Sequence, residues 1–553
     1  MSSSVSPVLI KESEVKVSTS EANKLHLNYR PDIDGMRALA ILAVVIYHAF
    51  PQSVTGGFVG VDVFFVISGY LISSIIMKGV ADGSFSFYDF YMRRVRRIFP
   101  ALMLVLAATF AAGWAVMMGD EFKSLSKHII AGIAFVQNIM MYTESGYFDA
   151  SAETKPLMHL WSLGVEEQFY LVFPIILILL HRFRIGMMPS LLGMAFLSFV
   201  MGVMHMSDTP AGVFFLPQYR FWELLFGSLL AYVSLNASAH KFLPKSSAVK
   251  DILSVLGLLL ILIAVTFIDK NKRLPGYWAL LPVIGSTLLI YSGPGAWVNK
   301  NVLSSRVLVF VGLISYPLYL WHWPLFSFAY IYLSGTPTAL VRLALIFLAF
   351  ALAFLTYRFL ELPLRHKVSG KKAFAALVAV SISFIAVSAV VFQKNGLPDR
   401  QNEKQYYAEY FSNSRPSWHY FTENKIPERY RYDCDWYNQA ANFSGNPTDT
   451  PVPSISEKCF KSSSAKKVLF WGDSHSQQYI YGVTHELPQG IGVLSVASSA
   501  CIPNLPELDE APGEFCRKSN QFAIQTIKDQ KPDVVVLGQV VGHDVMNNFP
   551  KIA

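Results

Sequence analysis

An arginine and a histidine eleven residues apart, Arg37 and His48, sit in a stretch that is otherwise almost wholly apolar. At about 100° per helical residue, eleven steps come within about 20° of three full turns, so a helix would carry both side chains on one face about 16 Å apart. A guanidinium can hold an anionic group and an imidazole can act as a general base near neutral pH. The pair therefore suits a long ligand that is charged at one end and reactive at the other. Downstream, Arg93, Arg94, Arg96 and Arg97 gather four guanidiniums into five residues, a density that can bind phosphates bidentately or mark the cytoplasmic side of a membrane. Glu166 and Glu167 offer two carboxylates that could orient a histidine or stabilise its charged form. Near the other end of the chain, Gly472-Asp473-Ser474-His475-Ser476 follows the apolar run 468–471. A serine just past a strand end, with small neighbours, is well placed to be an exposed nucleophile.

These residues need elements to position them, and composition indicates which kind. The chain has 553 residues, 53% of them hydrophobic and 15% charged, with a net charge of +8 and a mean hydropathy of +0.37. Soluble domains carry about 25% charged residues. A soluble, disordered or nucleic-acid-binding chain is excluded, and most of this one belongs in a lipid bilayer. A bilayer-spanning helix needs about 17 to 25 predominantly apolar residues. Eleven such runs are expected near 37–54, 57–77, 99–118, 160–180, 190–206, 214–235, 251–268, 278–292, 307–333, 339–359 and 373–392. Residues 128–142 are apolar too, but the run is short, begins with His128 and holds Gln137 and Asn138. Basic residues in short loops mark the cytoplasmic side. With 128–142 left out and the N-terminus inside, the 93–97 cluster and three later basic loops (181–184, 240–250 and 365–372) all fall inside. The loop 269–273 is the exception.

An odd number of spans exports everything after Phe392. All four cysteines, Cys434, Cys459, Cys501 and Cys516, lie in that part, which points to disulfides in an oxidising compartment. Residues 1–28 are polar and Ser-rich without an apolar signal core, and read as a cytoplasmic tail. Within the exported part, 396–466 reads as a linker or an extension of the next domain. The runs 468–471, 491–496 and 534–537 read as strands with helical stretches between them, the beginning of a doubly wound α/β sheet.

The order Arg37, ten residues, His48; Phe64-Phe65-Val66-Ile67-Ser68-Gly69; the arginine cluster running to Pro100; His159 to Tyr170; Tyr316-Pro317-Leu318-Tyr319-Leu320-Trp321-His322-Trp323-Pro324; and Tyr357-Arg358-Phe359-Leu360-Glu361-Leu362-Pro363 resembles membrane acyltransferase family 3. The resemblance covers residues 29–366. It implies a ten-helix membrane core that passes an acyl group, usually acetyl, from cytoplasmic acetyl-CoA to a glycan hydroxyl outside, with no permanently bound cofactor. It makes Arg37 and His48 the core pair, with His48 either accepting the acetyl group or deprotonating the acceptor, and Arg94 with Arg97 the coenzyme-binding guanidiniums, although Arg93 and Arg96 share that spacing. Glu361 matches the acid of the last motif, where capping beside Pro363 is an equal alternative. Gly472-Asp473-Ser474-His475-Ser476 resembles the first block of the SGNH hydrolases and implies Ser474 as nucleophile. No Asp-x-x-His follows Ser474, Gly538 to Asp544 does not reproduce a Gly-x-Asn-Asp block, and 467–553 is short for a complete sheet. A C-terminally incomplete domain, with Ser474 lacking a base of its own, is expected.

The fold expected is thus a polytopic all-α membrane domain, ten core helices plus a linking helix at 367–395, followed by a partial α/β SGNH-like domain at 467–553. The function expected is acetyl transfer across a bacterial inner membrane to an envelope polysaccharide such as the O-antigen of lipopolysaccharide, with the exported domain completing transfer. Two other classes fit the same residues. Arg37 and His48 could line a transporter or flippase path, and the exported domain could be a deacetylating esterase.

Overall fold

A computed structural model describes residues 29–400 apart from 147–150, 237–242, 270, 271, 273, 274 and 367–369, and residues 430–538 apart from 440, 442–447, 500 and 506–512. The expected tail 1–28 and the residues His543 and Asp544 lie outside the described residues. The chain divides into two compact units, residues 1–408 and 409–553.

The first unit is helical. In chain order the helices are α1 (Pro31–Ala49), α2 (Gly60–Ala81), α3 (Phe87–Val116), α4 (Gly119–Ile133), α5 (Gln137–Glu144), α6 (Leu160–Arg182), α7 (Met187–His205), α8 (Pro210–Phe215) and α9 (Phe221–Leu235). They continue with α10 (Ser247–Phe267), α11 (Leu280–Ser292), α12 (Arg306–Leu313), α13 (Ser315–Leu333), α14 (Ala339–Leu355), α15 (Leu362–His366) and α16 (Gly370–Gln393). α1 opens on Pro31, whose missing N–H would be unpaired there anyway, and carries Asp32 and Asp34 in its first turn against the positive end of the helix dipole. α3 is capped by Ser86, whose side chain accepts from the Asp89 N–H.

Each of the eleven apolar runs coincides with a helix or a helix pair. Among the described residues, seven helices are long and apolar enough to cross a membrane, and the bent pair α12 and α13 brings the number to eight. α9 and the stretch Tyr277–Ser292 are shorter apolar helices. The run 128–142 is divided between α4 and α5, with Phe135 between them at φ 55°. The pair α12 and α13 is bent by 65°, where a single straight span was expected. Pro317 has no N–H to offer the Leu313 carbonyl oxygen, so the hydrogen bond that would bridge this break is missing.

Small residues bring the helices close. A Cβ on Gly69 would lie 1.9 Å from the Leu224 carbonyl oxygen, and one on Gly312 would lie 1.9 Å from that of Asp34. Backbone contact of this kind locks α2 against α9 and α1 against α12. The register of α1 against its neighbours is therefore set tightly, and α1 carries both Arg37 and His48.

The second unit holds a three-stranded parallel sheet of order β2-β1-β3, made of β1 (Lys466–Gly472), β2 (Ile491–Ala497) and β3 (Val534–Gly538). Helices α17 (Ser474–Glu486) and α18 (Glu514–Gln530) fill the crossovers. All four cysteines are paired, Cys434 with Cys459 and Cys501 with Cys516. The stretch from Tyr430 belongs to this unit: Cys434, Trp436 and Ile455 pack with Leu469 and Trp471 of β1, and Asp435 forms a parallel bridge to Ala497.

Candidate active site

Along α1 the side chains meet two different environments. Near its start, Arg37 is held by Asp34 at 2.9 Å, one turn back. Asp34 also accepts from the Tyr29 hydroxyl at 2.9 Å. Arg37 faces a cavity of about 430 Å³ whose lining includes six arginines, Arg37, Arg93, Arg94, Arg96, Arg97 and Arg365, against two glutamates, Glu166 and Glu167. All four residues of the arginine cluster thus reach one space, but in different ways. Arg94 pairs with Glu167 at 2.9 Å and lies 3.7 Å from the centre of the Tyr170 ring. Arg96 donates to the carbonyl oxygens of Leu364 at 2.8 Å and Arg365 at 2.7 Å, tying α3 to α15. Arg93 is exposed. Arg97 forms no ion pair among the described residues; its charge neighbours are Arg37, Arg365 and Arg94, with Glu361 and Glu167 also within its field. Cations crowded without an equal number of carboxylates make a site for a polyanion.

Glu361 lies in a wide helical turn, Thr356–Glu361, between α14 and α15. It is buried, and Arg365, Arg97 and Arg37 act on its charge. It therefore belongs electrostatically to the same arginine group.

Three turns further along α1, His48 meets no carboxylate of α6. Its Nδ1 lies 3.1 Å from Nε2 of His322 on α13, with the two rings stacked at 5.3 Å and 14°. The Trp323 ring meets His48 edge-on at 4.6 Å. His48 is half-buried while His322 is fully buried. His159, just before α6, sets its ring 5.8 Å from that of His322. The Tyr319 hydroxyl donates to the His159 carbonyl oxygen at 2.8 Å and pairs with the Ser162 hydroxyl at 2.6 Å. Tyr319 and Ser162 also line the arginine cavity, so its wall stands one turn of α13 from His322.

The role expected for Glu166 and Glu167 beside a histidine differs from where they lie. Glu167 neutralises Arg94, and Glu166 accepts from the hydroxyls of Ser68 and Tyr170. It is the start of that motif, His159 and Ser162, that approaches the histidines. His322 and Tyr319 were visible in the sequence only as letters of the Tyr319-Leu320-Trp321-His322-Trp323-Pro324 motif. A histidine between two tryptophans in an apolar run was the available signal.

In the second unit Ser474 is the first residue of α17, directly beyond β1, as the strand-to-helix reading requires. The helix is capped by Asp473, whose carboxylate accepts from the His475 N–H at 2.8 Å. Ser474 is therefore not the capping residue. The Ser474 carbonyl oxygen accepts from the Tyr430 hydroxyl at 2.7 Å. The His475 ring lies 3.4 Å from the Asp473 carboxylate, and His485 lies 2.7 Å from the Tyr481 carbonyl oxygen of its own helix. Asp435, which sequence reasoning passed over, accepts from the Ser499 hydroxyl at 2.6 Å and from Gln477 at 3.0 Å. It braces α17 against the end of β2.

Comparison with known proteins agrees with both halves of this arrangement. Residues 30–358 match the acyltransferase domain family, and residues 442–543 match the SGNH domain that is fused to such acyltransferase domains. A Staphylococcus aureus (strain MSSA476) protein provisionally named an O-acetyltransferase is 34% identical over 67% of this chain and 65% of its own length. The chain thus spans slightly less than two thirds of that relative. The O-acetyltransferase OatA of Staphylococcus aureus (strain MRSA252) is 33% identical over 66% of this chain and 61% of its own. A Bacillus subtilis (strain 168) protein, YrhL, provisionally named a peptidoglycan O-acetyltransferase, is 28% identical over 82% of this chain and 74% of its own. No solved structure matches.

Proposed function

The chain belongs to the acyltransferase-domain family, and from that premise we propose that it moves an acetyl group from acetyl-CoA to a hydroxyl of an envelope polysaccharide such as the O-antigen of lipopolysaccharide. The observation that carries this reading is the sharing of one helix, α1, between a cavity lined by six arginines and the imidazole of His48. Coenzyme A has its phosphates at one end and its thioester at the other. The arginines take the phosphates on the cytoplasmic side of a bacterial inner membrane, and the thioester extends toward His48.

His48 acts as general base. As the acceptor oxygen attacks the thioester carbonyl, its proton passes to the imidazole. A C–O bond forms, the C–S bond breaks, and the leaving thiolate takes the proton from the imidazolium. In the exported unit, periplasmic in this orientation, the Ser474 hydroxyl then takes the acetyl group from the first acceptor, whose oxygen leaves with the serine proton, and the glycan hydroxyl takes it from Ser474, whose oxygen recovers a proton as its ester bond breaks.

The test is acetyl-CoA consumption by the purified full chain in lipid vesicles, together with mass spectrometry of envelope glycans from cells with and without the gene. The expected result is coenzyme release that depends on His48 and an added acetyl mass on one glycan. YrhL is named for peptidoglycan, so O-antigen and peptidoglycan fractions are analysed separately. Glycan movement across the membrane without coenzyme release would make the protein a carrier instead. Loss of acetyl groups from the glycan when the gene is present would make the exported unit an esterase.

A further inference from the structure

We propose that His322 is a positioning residue that holds His48 in the tautomer with its proton on Nδ1, so that Nε2 is the basic nitrogen. This rests on the reading of His48 as the general base and adds which of its atoms acts and what fixes it.

Nδ1 of His322 lies 2.7 Å from the carbonyl oxygen of Tyr319 and 3.2 Å from that of Leu318. Carbonyl oxygens only accept, so this nitrogen bears the hydrogen. His322 is fully buried, and an imidazolium there would need a paired anion. The groups that meet its ring, His48, His159 and Tyr319, bring no carboxylate, and among the described residues none pairs with it. The ring is therefore neutral and its Nε2 carries a lone pair. That lone pair lies 3.1 Å from Nδ1 of His48, which must donate to it. A neutral imidazole has one N–H, so Nε2 of His48 is left free to take a proton.

Two neighbours keep this geometry. Trp323 meets His48 edge-on and donates its indole N–H to the Lys155 carbonyl oxygen at 2.9 Å. Trp321 donates to the Thr356 hydroxyl at 2.9 Å. Indole anchors on both sides of His322 leave its segment of α13 little freedom to turn. When Nε2 of His48 gains a proton, the Nδ1–H bond to His322 becomes charge-assisted and stronger, so the same contact that selects the tautomer also stabilises the imidazolium. The hydrogen bond made by one ring nitrogen generally decides the state of the other.

The experiment uses the full chain in vesicles, with acetyl-CoA turnover and calorimetric binding of coenzyme A as readouts. His322→Ala is expected to lower turnover about 10- to 100-fold while coenzyme A binding stays at the parent level. His322→Gln, whose amide oxygen can accept from Nδ1–H of His48, is expected to recover most of the loss. The double variant His48→Ala/His322→Ala is expected to be no slower than His48→Ala alone, because the two act as one unit.

Full turnover in His322→Ala overturns the proposal. So does a His322→Gln variant as slow as His322→Ala with binding intact, or a further loss in the double variant. Nitrogen NMR of the histidine-labelled parent protein, with the His48 signals identified by their loss in His48→Ala, tests it without altering His322. A proton on Nδ1 supports it, and a proton on Nε2 overturns it. Full turnover in His48→Ala would instead sink the general-base reading, leaving the tautomer to be judged by the spectrum.

Discussion

The arginine cavity and the histidine pair share helix α1 but are built from opposite materials. The cavity holds fixed charge. Arg37 has Asp34, Arg94 has Glu167, and Arg96 has two carbonyl oxygens, while Arg97 has no ion-pair partner among the described residues and shares Glu361 with Arg37 and Arg365. The histidine end pairs ring with ring, His48 against His322 and Trp323, and the cavity's carboxylates partner other groups. Fixed cations suit ground-state recognition of phosphates, whereas a ring that can gain and lose a proton suits a chemical step. The contrast predicts that variants at the two ends separate into binding defects and rate defects.

The largest effect is expected from His48→Ala. Turnover of acetyl-CoA should fall by about 10² to 10⁴ fold with coenzyme A binding unchanged by calorimetry. A weakened affinity would make the histidine end part of the binding site and erase the division.

Next comes Glu167→Gln, which leaves the guanidinium of Arg94 without its carboxylate. Losing the charge-assisted bond of this half-buried pair, whose side chains are 15% and 13% exposed, costs about 1.5 to 3 kcal/mol, to be read as a lowered melting temperature in detergent. Turnover per bound donor should survive. A rate defect with normal stability would move Glu167 to the histidine end.

Arg97→Ala should weaken coenzyme A by about 10- to 100-fold, since a charge-assisted hydrogen bond contributes about 1.5 to 3 kcal/mol. The exposed Arg93 should matter less, because exposed charges are screened. Equal losses at the two positions would mean that the phosphates lie at the mouth rather than inside.

The smallest effect is expected from Tyr319→Phe. It removes the hydroxyl that joins Ser162 and the His159 carbonyl oxygen on the wall between the two regions. Losing one neutral hydrogen bond is worth about 1 kcal/mol, a several-fold change in turnover. A defect confined to donor affinity would assign this wall to the cavity alone.

Much of this arrangement was legible in the sequence, and the limits have physical causes. Apolar runs located the helices because the bilayer demands length and hydrophobicity from each one separately. The three strands and Ser474 at the turn after β1 followed from short apolar runs ending in small residues. The bend between α12 and α13 was not legible in the sequence, where 307–333 reads as one span, although Pro317 lies beside the break. The spacing of the arginine cluster allowed two registers, and the helix brings both pairs to the cavity wall because neighbouring residues on α3 flank its rim. Glu166 and Glu167 were ambiguous for a different reason. A carboxylate's partner depends on what the opposite helix presents, and α3 presents Arg94.

What the sequence by itself determined is therefore what one segment can decide alone: membrane residence, the shared face of Arg37 and His48, and a sheet whose first strand holds 468–471. The tertiary structure decided how the four cysteines pair, and that His48 meets His322 across 274 residues of chain. Helical periodicity fixes where a side chain points on its own helix but not which helix stands opposite. That choice came from backbone contacts such as Gly312 against Asp34 and Gly69 against Leu224, where the absence of a Cβ lets two helices approach closely enough for their polar side chains to meet.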